Sequence, residues 1–576
     1  MTAVARSNHE DAALELRPPD TVMRLARMGS FHQTRISFMR SLLRRIAAEN
    51  WRLTRARFDL DGDGYGTAVY RVDLPAGCCS LVAFSDELSP DERTDRVIAE
   101  KWDATFALVD GEPGDEDIAR LRANVPKQEA GHVSAHELVL SRANKSVRLF
   151  GHVVDCLANG WQPSMDDIVR VGYLMRTTAV YGNGKFGLSD LENTFAGGLF
   201  NRPFEAELFT VYVIREFTLD LVEHIAAARK PGRAVRLAPD RRRALGIGNS
   251  TGLGMAPFLT FHPALIHRWM LARETAIARV LALAEAAPEK RGAFLALLAR
   301  AIDHVREWST QDARQAARTA RLQDELRGLL AELTGGSADL LSGASPWRRL
   351  LDKVEAEGSL ELQELTLSLM MEPYGELVDD LADQMTDPEQ GRLDPAMSLA
   401  GLKAAIERNY GWALDIDFNA PEAQHFFWYR SAEKEEPRLG ERLAEPGAEL
   451  ETRIGVARDA AALHDLLSTG AWEPDESVAA FLLCEPQWRH MVKRVQLAGR
   501  TPYGEIRDNL LADGCLPIDI LRCKLSFFGA IKFDPKSDRW TRITMYQGAP
   551  GFAELDRENA DGWAFPVFTE AGDLHP

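Results

Sequence analysis

The hydrophobic period of this chain changes along its length, and that change constrains the fold more than any other feature. Between residues 50 and 112, four segments alternate apolar and polar residues and are separated by turn-forming residues. Such alternation puts every second side chain on one face, as in a half-buried β-strand. A small antiparallel sheet is therefore predicted from the segments RLTRARFDLD, GTAVYRVDLP, CSLVAFSDEL and DATFALVDGE.

From about residue 140 the helical period dominates, with apolar residues three and four positions apart. This spacing predicts amphipathic helices, which bury one face against the rest of a domain. We expect single helices in 143–160, 165–182, 204–230 and 263–287, and two or more helices in 289–333. Near the C-terminus, the segments AIKFDP and DRWTRITMYQGAP predict a short β-hairpin.

Two pairs of similar blocks suggest an internal repeat. The block WRRLLDKVEAEG (347–358) resembles WRHMVKRVQLAG (488–499), and PYGELVDDLAD (373–383) resembles PYGEIRDNLLAD (502–513). We interpret them as a duplicated helical hairpin, with chance similarity between amphipathic helices as the alternative. The fold class predicted from all these patterns is α+β and predominantly α-helical, with a small N-terminal sheet, a large helical region and a C-terminal β-hairpin.

Length and composition shifts divide the chain into several parts, because 576 residues exceed the size of one ordinary domain. The predicted division is a loose tail (1–20), an α+β domain (21–140), a helical domain with glycine-rich loops (141–334) and a helical domain with the repeat and the C-terminal hairpin (335–576).

The charge balance argues against nucleic acid and membrane partners. The chain has 86 acidic and 68 basic residues, a net charge of −18. An acidic surface repels phosphate backbones and anionic lipids. No apolar stretch is long enough to cross a membrane, and the six cysteines show no CxxC spacing. Thin, irregular cysteine usage is typical of the reducing cytosol, so we expect a cytoplasmic protein.

One glycine-rich stretch stands out among the helical patterns. The segment GNSTGLGMA (248–256) resembles the TGxxxGxG cofactor turn of short-chain dehydrogenases, with Gly248, Gly252 and Gly254 on the family spacing. That turn should follow an apolar strand, whereas PDRRRALGI precedes it here. The family also places a Tyr-x-x-x-Lys pair after the turn, and the pair Tyr181 and Lys185 comes before it. We therefore assign the chain to no family.

The chemistry of this stretch still suits an anion. Backbone N–H groups of Gly248 to Gly252, with the side chains of Asn249, Ser250 and Thr251, could surround an oxyanion or a phosphate. The alternative is a glycine-rich bend that lets helices pack closely and is capped by Asn249 or Ser250.

A second polar break lies upstream, in LMRTTAVYGNGKFGLSD (174–190). Arg176 and Asn183 could hold a carboxylate or phosphate, while Tyr181 and Lys185 could take part in catalysis. The alternative is a C-capping turn after a helix that ends near residue 180. If both breaks meet in one pocket, they form an anion clamp.

A histidine follows the glycine-rich stretch. His262 precedes Pro263, so it would lie at the start of the next helix and could move a proton. Capping or core pairing is the alternative. Metal signals are weak: His132 and His136 are four residues apart without an HExxH motif, and the acidic segment 59–70 lacks the final glutamate of a calcium loop. No metal site is predicted, and the cofactor is left unassigned.

These observations favour a metal-independent cytosolic enzyme that acts on a small anionic metabolite bearing a carboxylate or phosphate. A non-catalytic, oligomeric helical scaffold or regulatory protein is the alternative. The expected partners are a small anionic ligand and a second copy of the chain, with neither nucleic acid nor membrane.

Overall fold

The structure is a computed structural model of the chain. It describes residues 14–89, 102–124, 136–182, 198–202, 204–252, 263–308, 310–335, 338–386, 392–418, 420, 428–430, 452–454, 456–507, 517–529, 532–535 and 540–568.

The chain forms two compact units, and each is assembled from three separate stretches. The helical unit combines Met1–His32, Gly252–Ala286 and Asp339–Lys524. The sheet unit combines Gln33–Thr251, Ala287–Ala338 and Leu525–Pro576. The division predicted after residues 140 and 334 follows chain order, whereas these units are interleaved along the chain.

Helices predominate in an α+β fold, as expected from the sequence. In chain order they are α1 (Pro19–Val22), α2 (Leu25–Met28), α3 (Phe38–Glu49), α4 (Asp115–Asn124), α5 (Phe150–Ala158), α6 (Met165–Val171), α7 (Glu205–Arg229), α8 (Pro239–Ala244), α9 (Pro263–Leu281), α10 (Pro288–Arg306), α11 (Ala313–Thr334), α12 (Pro346–Glu357), α13 (Leu360–Met371), α14 (Gly375–Val378), α15 (Leu399–Leu414), α16 (Val456–Ser468), α17 (Val478–Cys484), α18 (Arg489–Ala498) and α19 (Pro517–Phe528). Short 3-10 helices occupy Ala338–Leu341, Asp379–Thr386, Pro486–Trp488 and Phe552–Glu554.

The sheet unit contains one nine-stranded sheet with the order β1-β2-β3-β4-β5-β6-β7-β11-β10. Its strands are β1 (Arg52–Leu60), β2 (Gly66–Leu74), β3 (Gly77–Ser85), β4 (Ala104–Asp110), β5 (Glu137–Lys145), β6 (Tyr173–Gly182), β7 (Gly246–Gly252), β10 (Lys532–Pro535) and β11 (Trp540–Met545). A separate two-stranded pair consists of β8 (Trp428–Arg430) and β9 (Thr452–Ile454). The four strands predicted between residues 50 and 112 are confirmed as the antiparallel run β1 to β4.

The sheet is larger than predicted, because three strands lie in segments that were predicted to be helices or loops. The expected helix 143–160 begins only at Phe150, after β5. The expected helix 165–182 ends at Val171, where Gly172 takes a φ of +86°. The residues that follow are rich in Tyr, Thr and Val, which favour strands, and they form β6.

Helices cover both faces of the central strands. On one face, Phe217 of α7 packs edge-on against Phe106 of β4, with ring centroids 5.5 Å apart. On the other face, Leu121 of α4 packs in a cluster with Val82 and Phe84 of β3. This double coverage explains why β3 is buried from Cys79 to Ser85 instead of alternating.

The helical unit has its own core. Helices α15, α16 and α18 bury Ile406, Leu463 and Val492 in one apolar cluster. Among the helices that the structure describes, none combines the length and hydropathy needed to span a bilayer.

A duplicated hairpin is not confirmed. In the first block, the Trp347 indole N–H donates to the Tyr374 hydroxyl at 2.9 Å, and helix α13 lies between the two residues. In the second block, Tyr503 follows α18 without an intervening helix and stacks on His267. Similar residues therefore occupy different local structures.

Candidate functional site

Two neighbouring parallel strands form the most distinctive part of the sheet. β6 and β7 pair in parallel, with Tyr173 beside Gly246 and Arg176 beside Gly248. Since both strands run in the same direction, they end at the same edge of the sheet, at Gly182 and Gly252. We call this the carboxyl edge. Ligands of open α/β sheets bind at such edges.

Helix α7 connects these two strands and begins at the carboxyl edge. A Cβ added at Gly64, in the β1–β2 turn, would meet Leu221 and Ile225 of α7. Because β1 to β6 alternate in direction, this turn lies at the edge where β6 begins. The C-terminal half of α7 therefore lies at that edge, and its first turn points to the carboxyl edge. β6, α7 and β7 form a crossover unit.

The first turn of α7 carries a buried carboxyl group. Glu207 is only 8% exposed, and its Oε2 atom has no hydrogen-bond partner among the described residues. Burial raises the pKa of Glu207 to about 7, and a hydrogen bond from its own backbone N–H lowers it only partly. A buried carboxyl group without a cation favours its neutral, protonated form. Glu207 is thus poised to exchange a proton near neutral pH.

The register places Asn249 on the face of the sheet that α7 covers. Phe106, which contacts α7, pairs with Ser141 of β5, and Thr177 of β6 pairs with Ala143 two residues further along β5. Thr177 therefore faces α7, and its neighbour Arg176 faces away. Gly248 is level with Arg176, so the next residue, Asn249, faces α7 again. Asn249 is half-buried.

Arg176 and Asn249 lie on neighbouring strands, but their side chains are on opposite faces of the sheet. Arg176 lies six residues before Gly182 in an extended strand, which separates their Cα atoms by about 20 Å. It also faces away from α7, between Asn144 of β5 and Gly248 of β7. The segment predicted to be a helix and a turn is a strand, and the part of Arg176 in an anion clamp stays a prediction.

Gly248 also differs from its predicted role, because residues 246–252 form a strand and not a loop. A Cβ at Gly248 would lie 2.4 Å from Cδ1 of Tyr173, and one at Gly246 would lie 2.3 Å from the Met545 carbonyl oxygen. These glycines are required by close packing between strands. The dehydrogenase-like motif likewise begins inside β7 and not in a turn that follows a strand.

The other predicted residues divide into two groups. The backbone of Tyr181, Ser250, Thr251 and Gly252 lies at the ends of β6 and β7, at the carboxyl edge. Asn183, Lys185 and His262 lie outside the described residues. The structure thus brings the ends of the two polar segments together, and the roles predicted for these side chains stay predictions.

The nearest described histidine along the chain, His267 of α9, has a structural role in the helical unit. Its Nδ1 atom accepts the Tyr503 backbone N–H at 3.3 Å, and the two rings stack 5.9 Å apart. Burial lowers the pKa of His267 to about 4. A neutral acceptor imidazole of this kind holds the 502–505 segment on α9.

No cluster of metal-ligating side chains occurs among the residues that the structure describes. The acidic segment between β1 and β2 is a turn. Asp61 Oδ1 accepts the backbone N–H groups of Asp63 at 3.0 Å and Tyr65 at 2.9 Å, and Gly64 has a φ of +82°.

The helical unit buries a second group of charges. Arg17 binds Glu274 and Glu364 at 2.8 Å each, Arg27 binds Glu364 at 2.7 Å, and Arg273 binds the same two carboxylates at 2.9 and 2.6 Å. Both carboxylates are fully buried. The three arginines hold the pKa of Glu364 well below its usual range despite burial. The cluster ties the N-terminal segment to α9 and α13, which is a structural role.

Glu207 is the residue that the sequence interpretation missed. The segment 207–219 is mostly apolar and is buried on every side of the helix. A helix of this kind is surrounded by protein. An acidic residue within it is therefore a buried acid, and that signal was available in the sequence.

Comparisons with known proteins add no identification. No protein family, curated protein or solved structure matches this chain.

Proposed function

We propose that the chain is an enzyme that acts on a small anionic metabolite at the carboxyl edge of β6 and β7. One observation carries this proposal: the crossover unit brings the ends of two parallel strands and the start of α7 to the same edge. Binding sites of α/β sheets form where parallel strands end and a helix begins, because loops and helix N-termini meet there.

The groups at this edge suit an oxygen-rich anion. No side chain caps the N-terminus of α7, whose N-cap residue is Phe204. The helix dipole favours negative charge near this end. Asn249 supplies an amide that can donate to a carboxylate or phosphate oxygen. These features support a ligand that bears one of these two groups.

The cytosol is the compartment that we propose for this activity. No disulfide bond joins the cysteines in the described part of the chain, Cys78, Cys79, Cys156, Cys484 and Cys523. Free thiols are typical of a reducing compartment.

The test is a thermal-shift screen of the full chain against small carboxylates, phosphorylated metabolites and nucleotides. A ligand of the native state at 100 times its Kd stabilises that state by about 2.7 kcal/mol. We expect Asn249→Ala to abolish the shift of the active compound. The matched control is Asn159→Ala, a half-buried asparagine at the end of α5 next to Lys230, and it should keep the shift.

Two outcomes would contradict the proposal. If no compound shifts the melting temperature, the alternative of a helical scaffold or regulatory protein is favoured, and oligomeric state becomes the next measurement. If Asn159→Ala and Asn249→Ala lose the shift equally, ligand binding does not depend on the carboxyl edge.

A further inference from the structure

Glu207 differs from the other buried glutamates whose partners are known. Glu274 and Glu364 bind arginines in the helical unit, Glu361 binds Arg522, and Glu505 binds Arg494. A buried carboxylate normally needs such a cation, because burial removes its hydration. In the part of the chain that the structure describes, Glu207 makes no ion pair.

The start of helix α7 accounts for only part of Glu207: its carboxyl group accepts its own backbone N–H, but Oε2 has no partner among the described residues. The structural acid of this turn is Glu205, whose Oε2 accepts the backbone N–H groups of Asn201 at 3.1 Å and Arg202 at 3.3 Å. The same atom binds Arg45 of α3 at 2.6 Å. Glu205 therefore fixes the chain before the helix, and Glu207 is free for another role.

Among the described residues, the charged groups on α3, β4, β5 and β6 near this end of α7 are engaged elsewhere, exposed or face away. On α3, Arg45 binds Glu205. On β5, Glu137 binds Arg120 of α4, on the opposite face of the sheet. On β6, Arg176 faces away from α7, and Asp110 at the end of β4 is exposed.

The charged residue of helix α5 that contacts α7 lies at the other end of α7, far from Glu207. There Asp155 binds Arg229 at 2.8 Å. Burial without a cation therefore sets the state of Glu207, and it raises the pKa to about 7.

We propose that Glu207, in its protonated form, donates a hydrogen bond to an oxygen of the anionic ligand at the carboxyl edge. This inference rests on the proposed function and adds a residue to it. A neutral carboxylic acid is a strong donor, and unlike a carboxylate it does not repel the anion. Asn249, on the same face of the sheet, would donate to the same ligand.

The proposal also defines the ligand by its chemistry. It carries an oxyanion, either a carboxylate or a phosphate, that accepts hydrogen bonds from neutral donors. Acetate and sulfate are suitable probes for the two classes, since both keep their charge between pH 6 and pH 8. Any change in their affinity over this range therefore comes from the protein.

The experiment measures the affinity of each probe at pH 6 and pH 8, for wild type, Glu207→Gln and Glu205→Gln. If only protonated Glu207 supports binding, a pKa near 7 makes the wild-type affinity about tenfold weaker at pH 8 than at pH 6. In Glu207→Gln the amide still donates, so we expect less than a twofold change. Glu205→Gln is the matched control from the same helical turn and should keep the wild-type dependence.

The outcomes separate this inference from the proposed function. Equal wild-type affinity at both pH values, or unchanged dependence in Glu207→Gln, overturns the role of Glu207. The proposed function survives that result if Asn249→Ala still abolishes binding. If neither probe binds wild type at either pH, Glu207 binds no simple oxyanion, and the metabolite screen alone decides the proposed function.

Discussion

Glu364 in the helical unit and Glu207 in the sheet unit are both buried, at 0% and 8% exposure, yet their carboxyl groups have opposite surroundings. Three arginines, Arg17, Arg27 and Arg273, bind the carboxylate of Glu364, whereas Glu207 has no cationic partner in the part of the chain that the structure describes. The pKa of Glu364 is accordingly well below its usual range, and that of Glu207 is raised to about 7.

The comparison shows that burial does not by itself mark a functional acid. Desolvation acts on both groups, but the arginines reverse its effect at Glu364. A fully paired buried carboxylate holds segments of chain together, and its charge does not change near neutral pH. A buried carboxyl group without a cationic partner changes its charge in the pH range in which enzymes work. Three substitutions can break or sharpen this contrast.

The largest effect is expected for Glu364→Gln. Removing the charge leaves three arginines around a buried amide, and breaking a buried ion pair costs about 3–5 kcal/mol. Chemical denaturation at pH 7 measures this loss. The control is Glu357→Gln, which removes a 67% exposed carboxylate bound to Lys353, and it should change stability by no more than about 0.5 kcal/mol.

The pKa shift of Glu364 also predicts how the stability of the folded chain changes with pH. Its pKa in the folded chain is lowered from the ordinary value of 4.5. The stabilisation from its ionised form is thus fully present above that value and is lost as pH falls through the folded-state pKa. A Glu364→Gln protein as stable as wild type at pH 7 would show that the arginines do not need this carboxylate.

The next largest effect is expected for Glu207→Gln. Here the dependence of stability on pH is opposite to that at Glu364. The folded-state pKa of Glu207, about 7, is above its ordinary value of 4.5. Its protonated form is thus fully stabilising below pH 4.5, and that contribution is lost as pH rises through 7. The difference corresponds to about 3 kcal/mol.

Denaturation curves at pH 5 and pH 8 measure this effect. We expect the wild-type protein to lose most of that free energy between the two values relative to Glu207→Gln. Parallel pH profiles for both proteins would mean that Glu207 is already ionised and compensated at pH 5, and the contrast with Glu364 would disappear.

The sequence predicted local structure better than it predicted the site. Strands β1 to β4 follow directly from alternating residues, and the α7 segment follows from its apolar helical pattern. The parallel pairing of β6 with β7 joins residues some 70 positions apart, and no local pattern encodes such a register. β7 itself, GIGNSTG, contains no apolar run, because close packing against Tyr173 and Met545 requires glycine.

The candidate site was therefore only partly predictable. Polar residues at the ends of β6 and β7 were identified by composition, and their convergence at one edge was expected. The segment around Arg176 was interpreted as a helix followed by a turn and is a strand, and the ligand role of Arg176 stays a prediction. Glu207 was overlooked because acidic residues in the first turn of a helix resemble ordinary helix-start chemistry. Its neighbour Glu205 has that role.

The smallest loss of stability is expected at Asp561. This residue tests whether the number of arginines or the degree of burial determines how much a buried carboxylate with several arginines stabilises the fold. Like Glu364, Asp561 binds three arginines, here Arg35, Arg40 and Arg44, at 2.7, 3.2 and 2.9 Å. Unlike Glu364, its side chain is 23% exposed. Water can therefore replace part of the lost interaction, and we expect Asp561→Asn to cost about 1–2 kcal/mol.

Urea denaturation of Asp561→Asn beside Glu364→Gln makes the comparison, with Asp324→Asn as the exposed control, since Asp324 is 82% exposed and binds only Arg327. A loss at Asp561 equal to that at Glu364 would assign the stabilisation to the count of arginines. A smaller loss assigns it to exclusion of water. In that case ionisation of Glu207, which is 8% exposed and makes no ion pair among the described residues, also carries a free-energy cost that a ligand donor role in its protonated form avoids.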